Sequence, residues 1–253
     1  MTNSARPLDD VLAPLCDALE DRRSSTSPRV ESVLQGLAER PAVTKLLRSV
    51  MADDKTLAEI AENSYEHVLG FDKIVVLSKP PFWRLRLHVW WPSRVGSREH
   101  PHNHRYASHS VVVVGKLHTY IHAIGASGNA VTHYREESAP AENRWTFSLI
   151  GATCLETAMD VVLLPGTNYS MSPNVIHHVE VPQELTVTLF LELQRARDWS
   201  EVFVHAGDPP PAPHSQRAFT KSELRLRLSR IRDAFEYSCE PESMHSPTES
   251  YRI

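Results

Sequence analysis

The sequence predicts a mainly β protein, a barrel of roughly eight or more short strands with helical segments at both ends. Three observations predict it. Apolar residues recur at helical spacing up to about residue 66, the period then switches to strict alternation, and Gly, Pro and Asn cut the alternating part into short runs. At 253 residues the chain can bury one sizeable core with extra elements attached.

The helical part opens with Val11, Leu12, Leu15 and Leu19, continues with Val30, Val33 and Leu37, and ends with Val43, Leu46, Leu47 and Val50. Each set forms one apolar stripe of a short amphipathic helix. The polar stretch RRSSTSP at 22–28 separates the first two, and Pro41 suits the first turn of another. Residues 1–70 are therefore expected to pack on the barrel as a helical extension.

After Gly70, Leu85, Leu87, Val89 and Trp91 alternate with Arg84, Arg86, His88 and Trp90, the pattern of a half-buried strand. Further strands are expected at Val111–Val114, Leu117–Ile124, Trp145–Ile150, Asp160–Leu164, Val175–Val181 and Leu185–Leu193. The last of these puts Leu185, Val187, Leu189, Leu191 and Leu193 on one face. The barrel is expected to span 71–205. Residues 206–253 then supply a connector with four prolines between Gly207 and Pro213, a final helix and an unstructured tail from Glu240. Thr220 and Glu223 have capping-box spacing, and Leu224, Leu228, Ile231 and Phe235 form a stripe for docking on the core.

Composition narrows the function. A net charge of -4 and a charged fraction of 23% provide no basic stripe, so no nucleic-acid partner is expected. The start, MTNSARPLDD, has no basic segment leading into an apolar one, and no run approaches the roughly 18 apolar residues of a membrane span. A cytoplasmic protein without a membrane partner is the expectation. Cys16, Cys154 and Cys239 are far apart and odd in number, which favours reduced, buried thiols over disulfides or a thiolate metal site. Histidine is the anomaly. There are 14, and His88, His100, His102, His104, His109, His118 and His122 crowd one region.

In an extended segment His102 and His104 point to one face, close enough to share an ion. After the Pro165-Gly166 turn, Val175, His177, Val179 and Val181 alternate with Ile176, His178 and Glu180, which turns His177 inward. A lone inward histidine is more often a hydrogen-bonded core residue. An H-x-H pair followed by P-G and an inward histidine favours a metal site, because three crowded imidazoles without a cation are costly to desolvate. His100 shares the parity of His102 and replaces His104 under a different register, although the distance to Gly115 favours His102 and His104. His109 shares a side with Val111 and Val113 and is open as a ligand, an acid or base beside the metal, or a surface residue. Tyr106, Tyr120, Tyr169 and Trp145 are candidate wall residues, with Tyr120, His118 and His122 on one face at a cavity mouth or on a polar exterior. Arg84 and Arg86, opposite the apolar side, fit a solvated face or an ion pair better than a carboxylate clamp.

The two segments HNHRYASHSVVVVG and PGTNYSMSPNVIHHV resemble the paired motifs of the cupin superfamily, over about 110 of the 253 residues. The resemblance implies a cupin double-stranded β-helix, or jelly-roll barrel, holding one metal. Where many cupins carry glutamate this chain has Ser108 and His109, leaving a three-histidine set similar to that of the thiol (cysteine) dioxygenases. That likeness implies iron(II), with zinc, manganese or nickel as alternatives, a substrate chelating the open face, and O2 beside it. The family's substrate-carboxylate arginine has no clear counterpart, with Lys73, Arg84 or Arg86 the candidates, and its serine, histidine and tyrosine relay has no match.

The expected function is a mononuclear non-haem iron(II) dioxygenase for a small polar, metal-chelating substrate of thiol or amino-acid-like kind. His109 and Tyr106 are its catalytic candidates, and Arg84, Arg86 and Tyr120 its substrate-binding ones. The alternatives are a non-redox metal-dependent isomerase, cyclase or lyase, and a small-molecule-binding cupin without catalysis. A homodimer is compatible with all three.

Overall fold

The computed structural model describes residues 7–20, 28–92, 99–139 and 143–237. Cys239 and the tail from Glu240 lie outside them. Four helices come first: α1 (Pro7–Glu20), α2 (Pro28–Ala38), α3 (Arg40–Ala52) and α4 (Asp54–Glu62). Eleven strands follow, and α5 (Lys221–Tyr237) closes the described chain. β1 (Tyr65–Glu66), β2 (Asp72–Lys79), β3 (Trp83–Trp90), β10 (Thr186–Arg195), β4 (Tyr106–Val114) and β8 (Asn168–Met171) form one antiparallel sheet in that order. β11 (Trp199–His205), β6 (Asn129–Ala139), β7 (Arg144–Leu163), β5 (Leu117–Gly125) and β9 (Ile176–Val179) form the other. The result is the expected mainly β jelly-roll barrel with helices outside it.

The segment at His102 lies between the two outer strands of the second sheet. It bridges His177 of β9 on one side and Val202 of β11 on the other, with paired His102–His177 backbone hydrogen bonds of 2.9 Å. Both edges of that sheet are thereby covered, which removes the unpaired backbone an open edge exposes. Trp145–Ile150 and Asp160–Leu164, expected as separate strands, belong to the one long β7. Gly115, which closes the β4–β5 connection at φ 78°, admits no side chain, because a Cβ there would stand 2.3 Å from Thr186 Oγ1 and 2.4 Å from the Leu185 carbonyl.

Which way the strand faces point decides where the site sits. Leu85, Leu87, Val89, Val111, Val187, Leu189 and Leu191 share one core with the buried stripes of α1 to α5. The helices thus consume the apolar face of the first sheet, and the alternate residues of β3, β4 and β10 are left to line the barrel. Arg86, His88, Ser108, Thr188 and Glu192 are therefore buried polar residues. Beneath them a small apolar floor of Phe71, Trp90, Val112, Leu117 and Val179 fills the barrel's depth. α5 docks by Leu224, Leu228, Ile231 and Phe235, as its spacing predicts. Its capping box is formed, with Glu223 N donating to Thr220 Oγ1 at 3.2 Å and Thr220 N to the Glu223 carboxylate at 2.8 Å. Asp72, fully buried, accepts from Trp91 Nε1 at 2.6 Å and Arg227 Nε at 2.8 Å and so ties α5 to the barrel wall. Cys16 and Cys154 are free thiols, half-buried rather than buried.

Candidate metal centre

His102, His104 and His177 come together, with one ring nitrogen from each within 4.8 Å of the others. His102 Nδ1 stands 3.0 Å from the His100 carbonyl and His177 Nδ1 3.3 Å from the Val175 carbonyl. A proton on each Nδ1, donated to these carbonyls, leaves Nε2 as a free lone pair, the form a metal takes. His104 Nε2 and His177 Nε2 lie 3.3 Å apart, and the His104 ring stacks on Tyr106 with centroids 5.1 Å apart. Burial lowers all three, His102 to about 4, His177 to about 3 and His104 well below its ordinary value, so each imidazole is neutral at pH 7. Converging neutral nitrogens in a desolvated site fit a divalent first-row metal.

The two ligand-bearing segments are braced from the start of β11. Asn103, between two of the histidines, donates from Nδ2 to the Glu201 carboxylate at 2.5 Å, and its Oδ1 accepts from Glu201 N at 2.8 Å. The other Glu201 oxygen meets His133 Nε2 at 3.0 Å. Arg197 donates from Nη2 to the carbonyls of His104 at 3.0 Å and Pro173 at 2.7 Å, and from Nη1 to Asn174 Oδ1 at 3.1 Å. It therefore joins the H-x-H segment to the loop leading into His177. Asn103→Ala is expected to weaken metal affinity by about 10- to 100-fold, the scale seen when groups that orient metal ligands are lost, with the far-ultraviolet spectrum unchanged. Competition with a chromophoric chelator measures it, and an unaltered affinity would sink the bracing role.

Glu99 is a carboxyl beside the cluster, with Oε1 3.8 Å from His102 Nδ1 and Oε2 accepting from Val179 N at 2.7 Å. Burial pushes it up to about 8, so at pH 7 it is mainly protonated and adds little negative charge.

A cavity of about 930 Å³ opens beside the histidines, and His102, His104, Tyr106, Lys73, Arg84 and Arg86 line it together. Arg86 forms a buried ion pair with Glu192, and its Nη1 donates to Tyr106 Oη at 3.2 Å. Arg84 Nη1 reaches the other Glu192 oxygen at 3.4 Å. Burial, only partly offset by the Arg86 charge, pushes the Tyr106 phenol up to about 12. On this inner strand face two guanidinium cations, Arg84 and Arg86, meet one carboxylate, Glu192, with the Lys73 amine beside them, so the wall favours an anionic ligand.

Tyr106, Arg84 and Arg86 thus share the cavity with His102 and His104. The ion-pair expectation for Arg86 holds, and the solvated face does not. His109 and Tyr120 are elsewhere. His109 does point inward with Val111, but on that face inward means the helical layer, where Nδ1 meets Ser170 Oγ at 2.7 Å and the Glu31 carboxylate at 3.6 Å. Tyr120 lies on the outer face of β5, stacked on His178 at 4.7 Å with its hydroxyl 3.5 Å from Glu180. His118 is on that face too, against Asp160 at 2.5 Å and Glu180 at 2.8 Å. His100 stays outside the cluster, its carbonyl holding His102 and its Nδ1 3.9 Å from Asp208. Trp145 lines the cavity and stacks on His214 at 5.4 Å, while Tyr169 packs against the apolar floor. Glu99, Arg197 and Glu201 were not legible as site residues. Asn103 had one signal, its place between two candidate ligands.

No protein-family model matches the sequence. No curated protein matches it either. Among solved structures, hydroquinone 1,2-dioxygenase in complex with Cd2+ and 4-hydroxybenzonitrile aligns over 55% of this chain and 72% of its own, at 13% identity and a TM-score of 0.30. Hydroxypropylphosphonic acid epoxidase from S. wedmorenis aligns over 76% of this chain and 100% of its own, at 8% identity and a TM-score of 0.33. At these scores the likenesses carry no argument about chemistry, which rests on the residues themselves. A cupin-like protein from Thermotoga maritima aligns over 62% of this chain and 83% of its own, at 11% identity and a TM-score of 0.29.

Proposed function

We propose that the chain is a mononuclear non-haem iron(II) dioxygenase acting on a small, polar, anionic molecule that chelates the metal, with a thiol or amino-acid-like compound as the substrate class. The observation that carries this reading is a cluster of three neutral histidines, with no carboxylate in the set, two of which, His102 and His104, line a cavity that Arg84 and Arg86 line as well. A bound iron(II) supplies oxygen activation and keeps its full double charge on neutral ligands. The chain's own part is to orient and to exclude water. Arg86, fixed by Glu192 and Tyr106, presents a guanidinium to an anionic substrate group, with Arg84 beside it. Trp90, Phe71 and Val112 close the barrel below and keep the site dry. The proposed catalytic unit is the barrel of 71–205, with 1–70 and 206–253 as its cover.

A non-redox isomerase, cyclase or lyase is the second reading. Lys73 and Tyr65, opposite each other on neighbouring strands of the same cavity wall, favour it because they supply proton-transfer groups that an oxygenase does not require. Protein loaded anaerobically with iron(II) is tested in an oxygen electrode against small thiols, amino acids and diketones. Substrate-dependent oxygen uptake is expected. No uptake across the panel, together with anaerobic conversion of a compound by the zinc or nickel form, would replace the first reading with the second.

A further inference from the structure

Lys73 is an ionisable group that neither metal binding nor the Arg86 clamp employs. It stands on β2 directly across from Tyr65 of β1, and its Nζ is 5.6 Å from the Tyr65 ring centroid. The groups facing it are Tyr65, Arg86 and His88 of β3, Glu192 of β10 and His67 in the turn before β2. Among the described residues no carboxylate forms an ion pair with it. A lysine desolvated next to another cation, without an anionic partner, favours the neutral amine, and a neutral amine is a nucleophile. Burial, followed by the Arg86 charge, lowers Lys73 below its ordinary value although Tyr65 and Glu192 act the other way. The side chain is only partly covered and lines the cavity, so a small molecule in the cavity can reach it.

We propose that Lys73 is a covalent site of the cavity, an amine that takes the aldehyde or ketone group of a small anionic molecule as an imine. The Nζ lone pair attacks the carbonyl carbon, and the Tyr65 hydroxyl gives its proton to the carbonyl oxygen. The nitrogen then returns a proton to the Tyr65 oxygen, leaving a neutral carbinolamine, and loss of water from it forms the imine. Atoms and charge balance without an oxidant. The Lys73 and Tyr65 neighbourhood is independent of the metal reading, because neither residue belongs to the histidine set.

Reductive trapping tests it. The purified protein is treated with glyoxylate and cyanoborohydride near neutral pH, where hydride reduces an imine to a stable secondary amine, and the six lysines are compared by peptide mass mapping over time. Lys73 is expected to be labelled before the exposed Lys45, Lys55, Lys79, Lys116 and Lys221. Its labelling is expected to slow in Tyr65→Phe, and the fast phase to disappear in Lys73→Met. Labelling of Lys73 no faster than that of the exposed lysines in the wild-type protein overturns the proposal, and this comparison needs no variant to fold. The assay reads lysine chemistry alone, so it stands whatever metal content is found.

Discussion

Replacing His102, His104 or His177 singly by alanine is expected to abolish stoichiometric metal binding while leaving the barrel folded. A three-nitrogen site that loses one donor keeps at most two protein ligands, and the loss of affinity should exceed the roughly 10- to 100-fold that removal of an orienting partner produces. The fold should survive because the main core lies on the other side of the first sheet, in Leu85, Leu87, Val111, Leu189, Leu191 and the helical stripes, a cluster to which the three histidines do not belong. Alanine also removes a buried polar group, so no orphaned donor is created at the substituted position. Metal analysis after dialysis, read beside circular dichroism, makes the check. Full metal occupancy in all three variants would refute the ligand assignment, and loss of the folded spectrum in all three would refute the separation of site from core.

How much of this was legible in the sequence depends on what an alternating pattern encodes. Strand alternation separated Leu85, Leu87 and Val89 from Arg84, Arg86 and His88 correctly, because successive side chains point to opposite faces of a strand. It did not show that the apolar set faces the helices and the polar set faces the barrel. Both faces of this sheet are buried, and a period of two identifies two faces without naming what covers each. The same ambiguity explains His109, whose side was read correctly and whose surroundings were not. The H-x-H segment and His177 were legible because the ligand geometry needs only local alternation and two motifs. Their braces were not, since Asn103 meets Glu201 and His104 meets Arg197 across long stretches of chain that no local period connects. The apolar pattern divides the long β7 in two, because the stretch around Gly151, Ala152 and Glu156 interrupts it, whereas hydrogen bonding to β6 and β5 carries the strand through without a gap.

The second large effect concerns the polar wall itself. Arg86 and Glu192, each with side chains only 5% exposed, form an ion pair inside the barrel, and removing one partner leaves the other charge buried. Glu192→Ala is expected to cost about 3 to 5 kcal/mol of stability, the range for breaking a buried pair, read from the urea midpoint at constant slope. The loss should persist in acid, because the stranded Arg86 guanidinium cannot shed its charge. Arg86→Met should behave differently. There Glu192 keeps a partner, because Arg84 Nη1 stands 3.4 Å from its other oxygen, so the stability lost should be smaller. Replacing both partners together, as Arg86→Met with Glu192→Leu, removes both charges and should restore most of the stability, since well-packed apolar replacements of buried pairs are often neutral or favourable. Such a protein would keep its three histidines and bind metal yet lose its affinity for anionic ligands, which separates what the pair does for the fold from what it does for the cavity. A Glu192→Ala variant as stable as the parent at every pH would show instead that water reaches Arg86, and that the cavity wall is wetter than its burial implies.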